Sequence, residues 1–255
     1  MFIKRSLVFI FLSILYYFTG NLIKNRNDAE DIFEYARMIN EGTSHLWFYH
    51  SHHLLYADLI TKLKNIFLFF NIEVSSLEIM RISSAFSSAG LILLLFSFCT
   101  NKLKMEKINS FFTVLTYSFF YGFIRYSAEA EIVILASFIG LASIYLSVDK
   151  ESSNLKFIFS IIISSLSVLI HIMNILITFI CIPLYLIINK KIKKSFIFIF
   201  SCIIITFSTY FYFYINDLLF YENTGAQITF IPINFMKGLI AFLQTILSFD
   251  FILGF

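Results

Sequence analysis

"FIFSIIISSLSVLIHIMNILITFICIPLYLIIN", residues 157–189, is an apolar run of 33 residues with His171 and Asn174 near its middle. As one helix it would be about 50 Å long, whereas roughly 30 Å of hydrocarbon needs only about 20 residues to cross. Folded as a hairpin, it gives two short spans, 157–170 and 175–189, that meet at the polar pair. The positive charges choose between these readings. Lys4 and Arg5, then "NKLKMEK" (101–107), "DKESSNLK" (149–156) and "NKKIKK" (189–194), alternate along the chain with less basic segments. Basic loops collect on the cytoplasmic side of a membrane. With all four groups on that side, 157–189 crosses twice and the N-terminus is cytoplasmic.

The composition names the same solvent. The chain is 59% hydrophobic and 14% charged, with 34 Phe among 255 residues, where soluble domains carry about 25% charged residues. Such a chain could not cover its own surface in water. The net charge of +3 is small and the basic residues stand in short clusters between apolar runs, a distribution unlike that of a nucleic-acid binder. The start, "MFIKRSLVFIFLSILYYFTG", resembles a signal peptide, but its apolar run extends from Ser6 to Ile23 with no A-x-A-like site after it. It reads as an uncleaved first span. Cys99, Cys181 and Cys202 all lie in apolar runs and read as small buried hydrophobes.

The expectation is therefore an all-α polytopic membrane protein of about seven to eight transmembrane helices, one membrane domain over 1–255 in the cell (inner, cytoplasmic) membrane. The spans are 6–23, 78–99, 109–124, 132–148, 157–170, 175–189, 195–215 and 235–255. The last stops without a polar flank, as a truncated chain or an incompletely captured helix would. Segments 24–77, 125–131, 171–174 and 216–234 then share the outer face. In the first of them, 28–41 and 57–72 alternate apolar and charged positions as helices lying on the membrane surface do.

The polar chemistry collects in these outer segments. Asp28, Glu30, Asp31 and Glu34 suit a solvated helix start, or a carboxylate held at the surface as a general base or metal ligand. Glu129 and Glu131 stand beside Arg125 in "RYSAEAE" (125–131), as a boundary marker or as carboxyls perturbed by desolvation. His171 is either a hydrogen-bonded structural residue or a functional group at the tip of an apolar hairpin. "WFYHSHHLLY" (47–56) offers His50, His52 and His53, enough nitrogens for zinc but without a recognised ligand spacing. No metal is assigned to them; histidine also suits interfacial hydrogen bonding and proton transfer.

In order, these segments resemble the GT-C membrane glycosyltransferases. "DAEDIFEYARMINEG" (28–42) is similar to their first-loop pattern of an Asp, an aromatic-containing helix, an Ala and a Gly. "HHLLYADLITKLKNIFLFFNIEVSSLEIMRISSAF" (52–86) resembles their H-P-P-L-Y, amphipathic stretch and R-L-P-S-A-L. "YSAEA" (126–130) is similar to Y-S-R-E-A, and "LIHIMNIL" (169–176) to the T-H-Y hairpin tip. The prolines are replaced by His53, Leu54 and Ser83, and Glu131-Ile132-Val133 stands where R-P-Y is usual. The dolichyl-phosphate-mannose protein mannosyltransferase-like and lipopolysaccharide sugar-transferase-like branches fit best, over residues 4–190, without the C-terminal half of full-length members.

The resemblance implies a GT-C-like bundle that moves a sugar from a polyprenyl-phosphate donor to a glycan, lipid or protein acceptor on the outer face. Membrane lipids are its other partners, and nucleic acid is not one. Asp28 would be the base, with Asp31 as its alternate, and Glu129 would hold the acceptor or a divalent cation. Arg81, Arg125, His53 and His171 would face the leaving phosphate, with His52 and His53 on the polar lip of the donor site. Two other readings stay open. One is a transporter, flippase or polymerase of lipid-linked glycans, which more often carries ionisable residues on broken helices at mid-membrane. The other is a non-catalytic assembly subunit.

Overall fold

The computed structural model describes residues 2–22, 30–44, 48–50, 52–128, 130, 132–148 and 153–216. All of them lie in one compact unit, Met1–Phe220, and a second unit, Tyr221–Phe255, lies outside the described residues together with the expected segment 235–255. The described residues are mostly helical, with no strand among them.

Helix α1 (Phe2–Leu22) runs antiparallel to α4 (Ser76–Asn101), after α2 (Glu30–Glu41) and α3 (Tyr56–Phe69). The Phe9 and Phe86 rings lie 5.9 Å apart, and the Tyr17 hydroxyl donates to Glu78 Oε1 at 2.6 Å. Ser75 caps α4 by accepting from the Glu78 N–H at 3.2 Å, the Ser-x-x-Glu start expected of a helix. The Glu78 carboxylate also serves tertiary structure by holding α1.

Helix α2 buries Ile32, Met38 and Ile39 and exposes Phe33 and Arg37, the amphipathic pattern expected of 28–41. Its Asn40 joins α3 and α4: Lys64 Nζ donates to Asn40 Oδ1 at 2.8 Å and to Ser76 Oγ at 3.0 Å. Helix α3 buries Tyr56, Ala57 and Ile60 and leaves Ile66, Phe69 and Phe70 exposed.

The expected span 109–124 is interrupted. Helix α5 (Lys107–Ser118) stops at Phe119, and α6 (Tyr121–Ala128) starts a new direction before α7 (Ile132–Ser147). Aromatic residues at 117 and 119–121, with Ser118 and Gly122, are modest helix formers, so the break costs little. Arg125 therefore lies inside a helix, not in an outer turn. The axes of α6 and α7 differ by 109°. Helix α7 packs on α4 at Gly90, where an added Cβ would lie 2.8 Å from Phe138 Cε2.

Residues 157–189 fold back on themselves. Helix α8 (Asn154–Ile170) ends at His171, whose backbone is extended (φ −154°, ψ 124°). A 3₁₀ turn (Ile172–Asn174) and a π-helical turn (Ile177–Cys181) lead into α9 (Ile182–Ile188). Pro183 has no N–H for the carbonyl of Phe179 and its ring crowds that carbonyl; a widened turn accommodates both effects. The Thr178 hydroxyl donates to the Ser164 carbonyl at 3.2 Å, and Ile161 shares a core with Ile182 and Leu186. Asn174 Nδ2 ties the tip to α7, donating to the Ala136 carbonyl at 3.0 Å and the Ser167 carbonyl at 3.2 Å. Helix α10 (Ile192–Ile215) completes this core with Phe198 and Cys202.

The helices give the bundle two chemically different ends. Lys102 lies 4.8 Å from the ring of Tyr145 near the end of α7, and Lys194 lies 5.4 Å from the ring of Phe157 near the start of α8. These contacts gather the basic loops at one end. At the other, one core unites Ile32, Ile39, Tyr56, Ile60, Ile79, Met80, Ala130, Ile132, Leu135, Ala136 and Ile170.

Among the described residues, α4 and α10 are long and apolar enough to cross a membrane, and α6 with α7 makes a third if the bent pair is one span. Ser6–Thr19, Asn154–Ile170 and Ile172–Ile188 are shorter apolar helices.

Candidate functional site

The end opposite the lysines carries a cluster of four histidines. The loop before α3 is tightly wound, with the His53 N–H donating to the His50 carbonyl and the Tyr56 N–H to the His53 carbonyl, each at 3.0 Å. This winding brings three imidazoles together from four consecutive positions. The same loop clasps the hairpin tip from both sides. The Leu55 N–H donates to the Leu169 carbonyl and the Ile172 N–H to the His52 carbonyl, each at 3.0 Å. His171 is thereby set against His53.

Ring centroids lie 4.8 Å apart for His53 and His171, 5.1 Å for His50 and His52, 5.4 Å for His50 and His53, and 6.0 Å for His52 and His53. Tyr35 of α2 meets His53 edge-on at 5.7 Å and Tyr56 at 5.6 Å. Next to His50 in the chain, Tyr49 packs on Phe213 of α10 at 4.4 Å.

Backbone donors fix two of the rings. His50 Nδ1 accepts from the His52 N–H at 3.2 Å, and His171 Nδ1 accepts from the Met173 N–H at 3.1 Å. An accepting nitrogen carries no proton, so in their neutral forms both rings carry it on Nε2. His53 differs: its Nδ1 is sealed from solvent without a hydrogen-bond partner among the described residues.

Burial disfavours a charge here and each imidazole disfavours a charge on its neighbour. Burial, then His171, His50 and His52, push His53 well below its ordinary pKa. Burial, then His52, lower His171 to about 4. His53 and His171 are therefore neutral imidazoles at neutral pH. Among the described residues no group of three His, Cys, Asp or Glu side chains is placed to hold a metal ion.

Of the residues singled out in the sequence, His52, His53 and His171 come together. Arg81 is half-buried on α4, close enough to Tyr17 to act on it electrostatically. Arg125 is half-buried on α6, its guanidinium 6.0 Å from the Tyr126 ring centroid. Asp31 lies in the first turn of α2. Asp28 and Glu129 lie outside the described residues. Among the described residues, Ile32, Met80, Ala130 and Ile170 share one buried core. His50 and Tyr35 are the members that sequence reasoning did not place in the site. His50 carries a signal in the H-x-H-H spacing, whereas Tyr35 reads only as part of an apolar helix face.

No family model, curated protein or solved structure matches this chain.

Proposed function

We propose that this chain is an integral-membrane glycosyltransferase of GT-C type, moving a sugar from a polyprenyl-phosphate donor to a glycan, lipid or protein acceptor. In this reading the bundle has about seven to eight spans in the cytoplasmic membrane, its N-terminus is cytoplasmic, and the histidine end faces outward. The observation that carries it is the common core of Ile32, Tyr56, Met80, Ala130 and Ile170. Each stands within three residues of a position the chemistry needs: Asp31, His53, Arg81, Glu129 and His171.

The acceptor hydroxyl loses its proton as it attacks the anomeric carbon, and Asp28, or Asp31 in its place, takes that proton. A positioned base of this kind contributes about 10²–10⁴-fold. Glu129 holds the acceptor or a divalent cation. The departing phosphate gains negative charge, which Arg81, Arg125 and the imidazoles of His52, His53 and His171 stabilise.

A transporter, flippase or polymerase of lipid-linked glycans is the second reading. The interrupted helix between Ile170 and Ile182 favours it, since transporters bind substrate at such breaks. Mass spectrometry of surface glycans separates the two in cells carrying the wild-type chain, Asp28→Asn, Glu129→Gln or no chain. Transferase action predicts the same sugar missing in the deletion and in both variants. A glycan lost in the deletion and restored by both variants moves the transporter reading ahead.

A further inference from the structure

Among the described residues, the histidine cluster holds one of several buried side-chain atoms with no hydrogen-bond partner, and the only one of them that belongs to an imidazole. The buried hydroxyls of Ser88, Ser143 and Ser167 donate to carbonyls of their own helices, α4, α7 and α8. His53 Nδ1, in contrast, is buried without a partner, and a polar atom in that state costs about 1–3 kcal/mol unless something else answers it.

Resting on the transferase reading's donor chemistry, we infer that the four-imidazole cluster of His50, His52, His53 and His171 is a phosphodiester-binding site that takes up one proton from water when the lipid-linked anion docks. The geometry limits where that proton can go. His50 and His171 already hold their ring protons on Nε2, because their Nδ1 atoms accept backbone N–H groups at 3.2 and 3.1 Å. His53 is the ring whose buried nitrogen is unspoken for, stacked 5.4 Å from His50 and 4.8 Å from His171. The groups facing it are His50 and His52 from the loop, His171 from the hairpin tip, Tyr35 from α2 and Tyr56 through Tyr35. These are imidazoles and phenols. Without a ligand, burial and the neighbouring imidazoles hold His53 and His171 neutral. A docked anion reverses the balance, since an opposite charge nearby favours the protonated ring. The proton adds to a ring nitrogen to give an imidazolium, its source being water or buffer, and the anion supplies the compensating charge. No bond of the ligand changes.

Binding coupled to one proton strengthens as pH falls, by roughly tenfold per pH unit, while His53 is neutral in the empty cluster and charged in the occupied one. The test is calorimetry on the full chain in detergent at about pH 6.5, near the unperturbed histidine value, in buffers of different ionisation enthalpy. The probe is a short-chain prenyl methyl phosphodiester, with dimethyl phosphate as the lipid-free arm. Phosphodiesters exchange no proton near neutrality, so every proton counted belongs to the protein. The expected result is uptake of about one proton per prenyl phosphodiester in the wild type, lost in His53→Gln and kept in His50→Asn and His171→Asn, which leave the accepting ring in place. The asparagines retain an acceptor oxygen for the backbone N–H, so these two variants keep the test valid if His53→Gln does not fold. Binding by dimethyl phosphate with the same uptake assigns the site to the phosphodiester itself; binding by the prenyl probe alone assigns it to the lipid-linked form. Binding without proton uptake, or no binding of either probe, overturns the inference. Proton-coupled binding in a chain whose deletion leaves every surface glycan intact upholds it while sinking the transferase reading, and Asp28-dependent transfer without proton uptake does the reverse.

Discussion

At the scale of single residues, His171 is the most exacting position. It ends α8, accepts the Met173 N–H, and packs against His53. Its pKa is lowered from an ordinary value near 6.5 to about 4, by burial first and His52 second. Between those values the unfolded chain binds a proton that the folded chain refuses. Stability is therefore full above about pH 6.5 and is lost as pH falls toward 4, by about 3 kcal/mol from this residue. Thermal unfolding of the purified chain between pH 7 and pH 4.5 measures it. A falling Tm in the wild type that falls less steeply in His171→Asn, where His53 still contributes, is expected; a wild-type Tm indifferent to pH would remove His171 from the buried cluster.

Between elements, the tightest fit is where the hairpin tip meets α7. A Cβ on Gly140 would lie 2.6 Å from Asn174 Oδ1, the side chain whose amide holds the Ala136 and Ser167 carbonyls. Gly140→Ala must move that amide, and overpacking with loss of buried hydrogen bonds costs about 1–3 kcal/mol. Gly122 has open space around its Cβ position, so Gly122→Ala serves as the control. Thermal unfolding in detergent should show a lower Tm for the first and an unchanged or raised Tm for the second. Equal effects would mean that the tip does not pack on α7 as described. The same hairpin shows what sequence reasoning can reach. An apolar run too long for one span, with a polar pair at its middle, announces a fold-back. The break at Phe119 was not legible, because an apolar aromatic run reads alike whether or not the helix continues through it. Nor were the histidine tautomers, which depend on where the His52 and Met173 N–H groups point after folding. The cluster's membership was half visible: adjacency groups His50, His52 and His53, but only the clasp of Leu55 on Leu169 brings His171 to them.

Across the whole molecule, the two ends differ in charge and chemistry along an axis set by antiparallel packing. Helix α4 starts beside the histidine end, with Ile79 and Met80 in its core, and finishes at Asn101 and Lys102, where Lys102 meets Tyr145. Helix α10 runs the other way, from Lys194 beside Phe157 to Phe213 beside Tyr49. Charge bias of this kind orients membrane proteins with the basic end inside. The sidedness proposed above can be tested without knowing the substrate. In a background with Cys99, Cys181 and Cys202 replaced by serine, single cysteines at Glu73, exposed just before α4, and at Lys107, exposed at the start of α5, report opposite sides. A membrane-impermeant maleimide applied to intact cells should label Glu73→Cys, and should label Lys107→Cys only after permeabilisation. The reverse order would put the histidine cluster in the cytoplasm, where a donor presented on the outer face could not meet it, and would end the proposed chemistry. Labelling of both positions in intact cells would mean that the two ends are not separated by a bilayer at all.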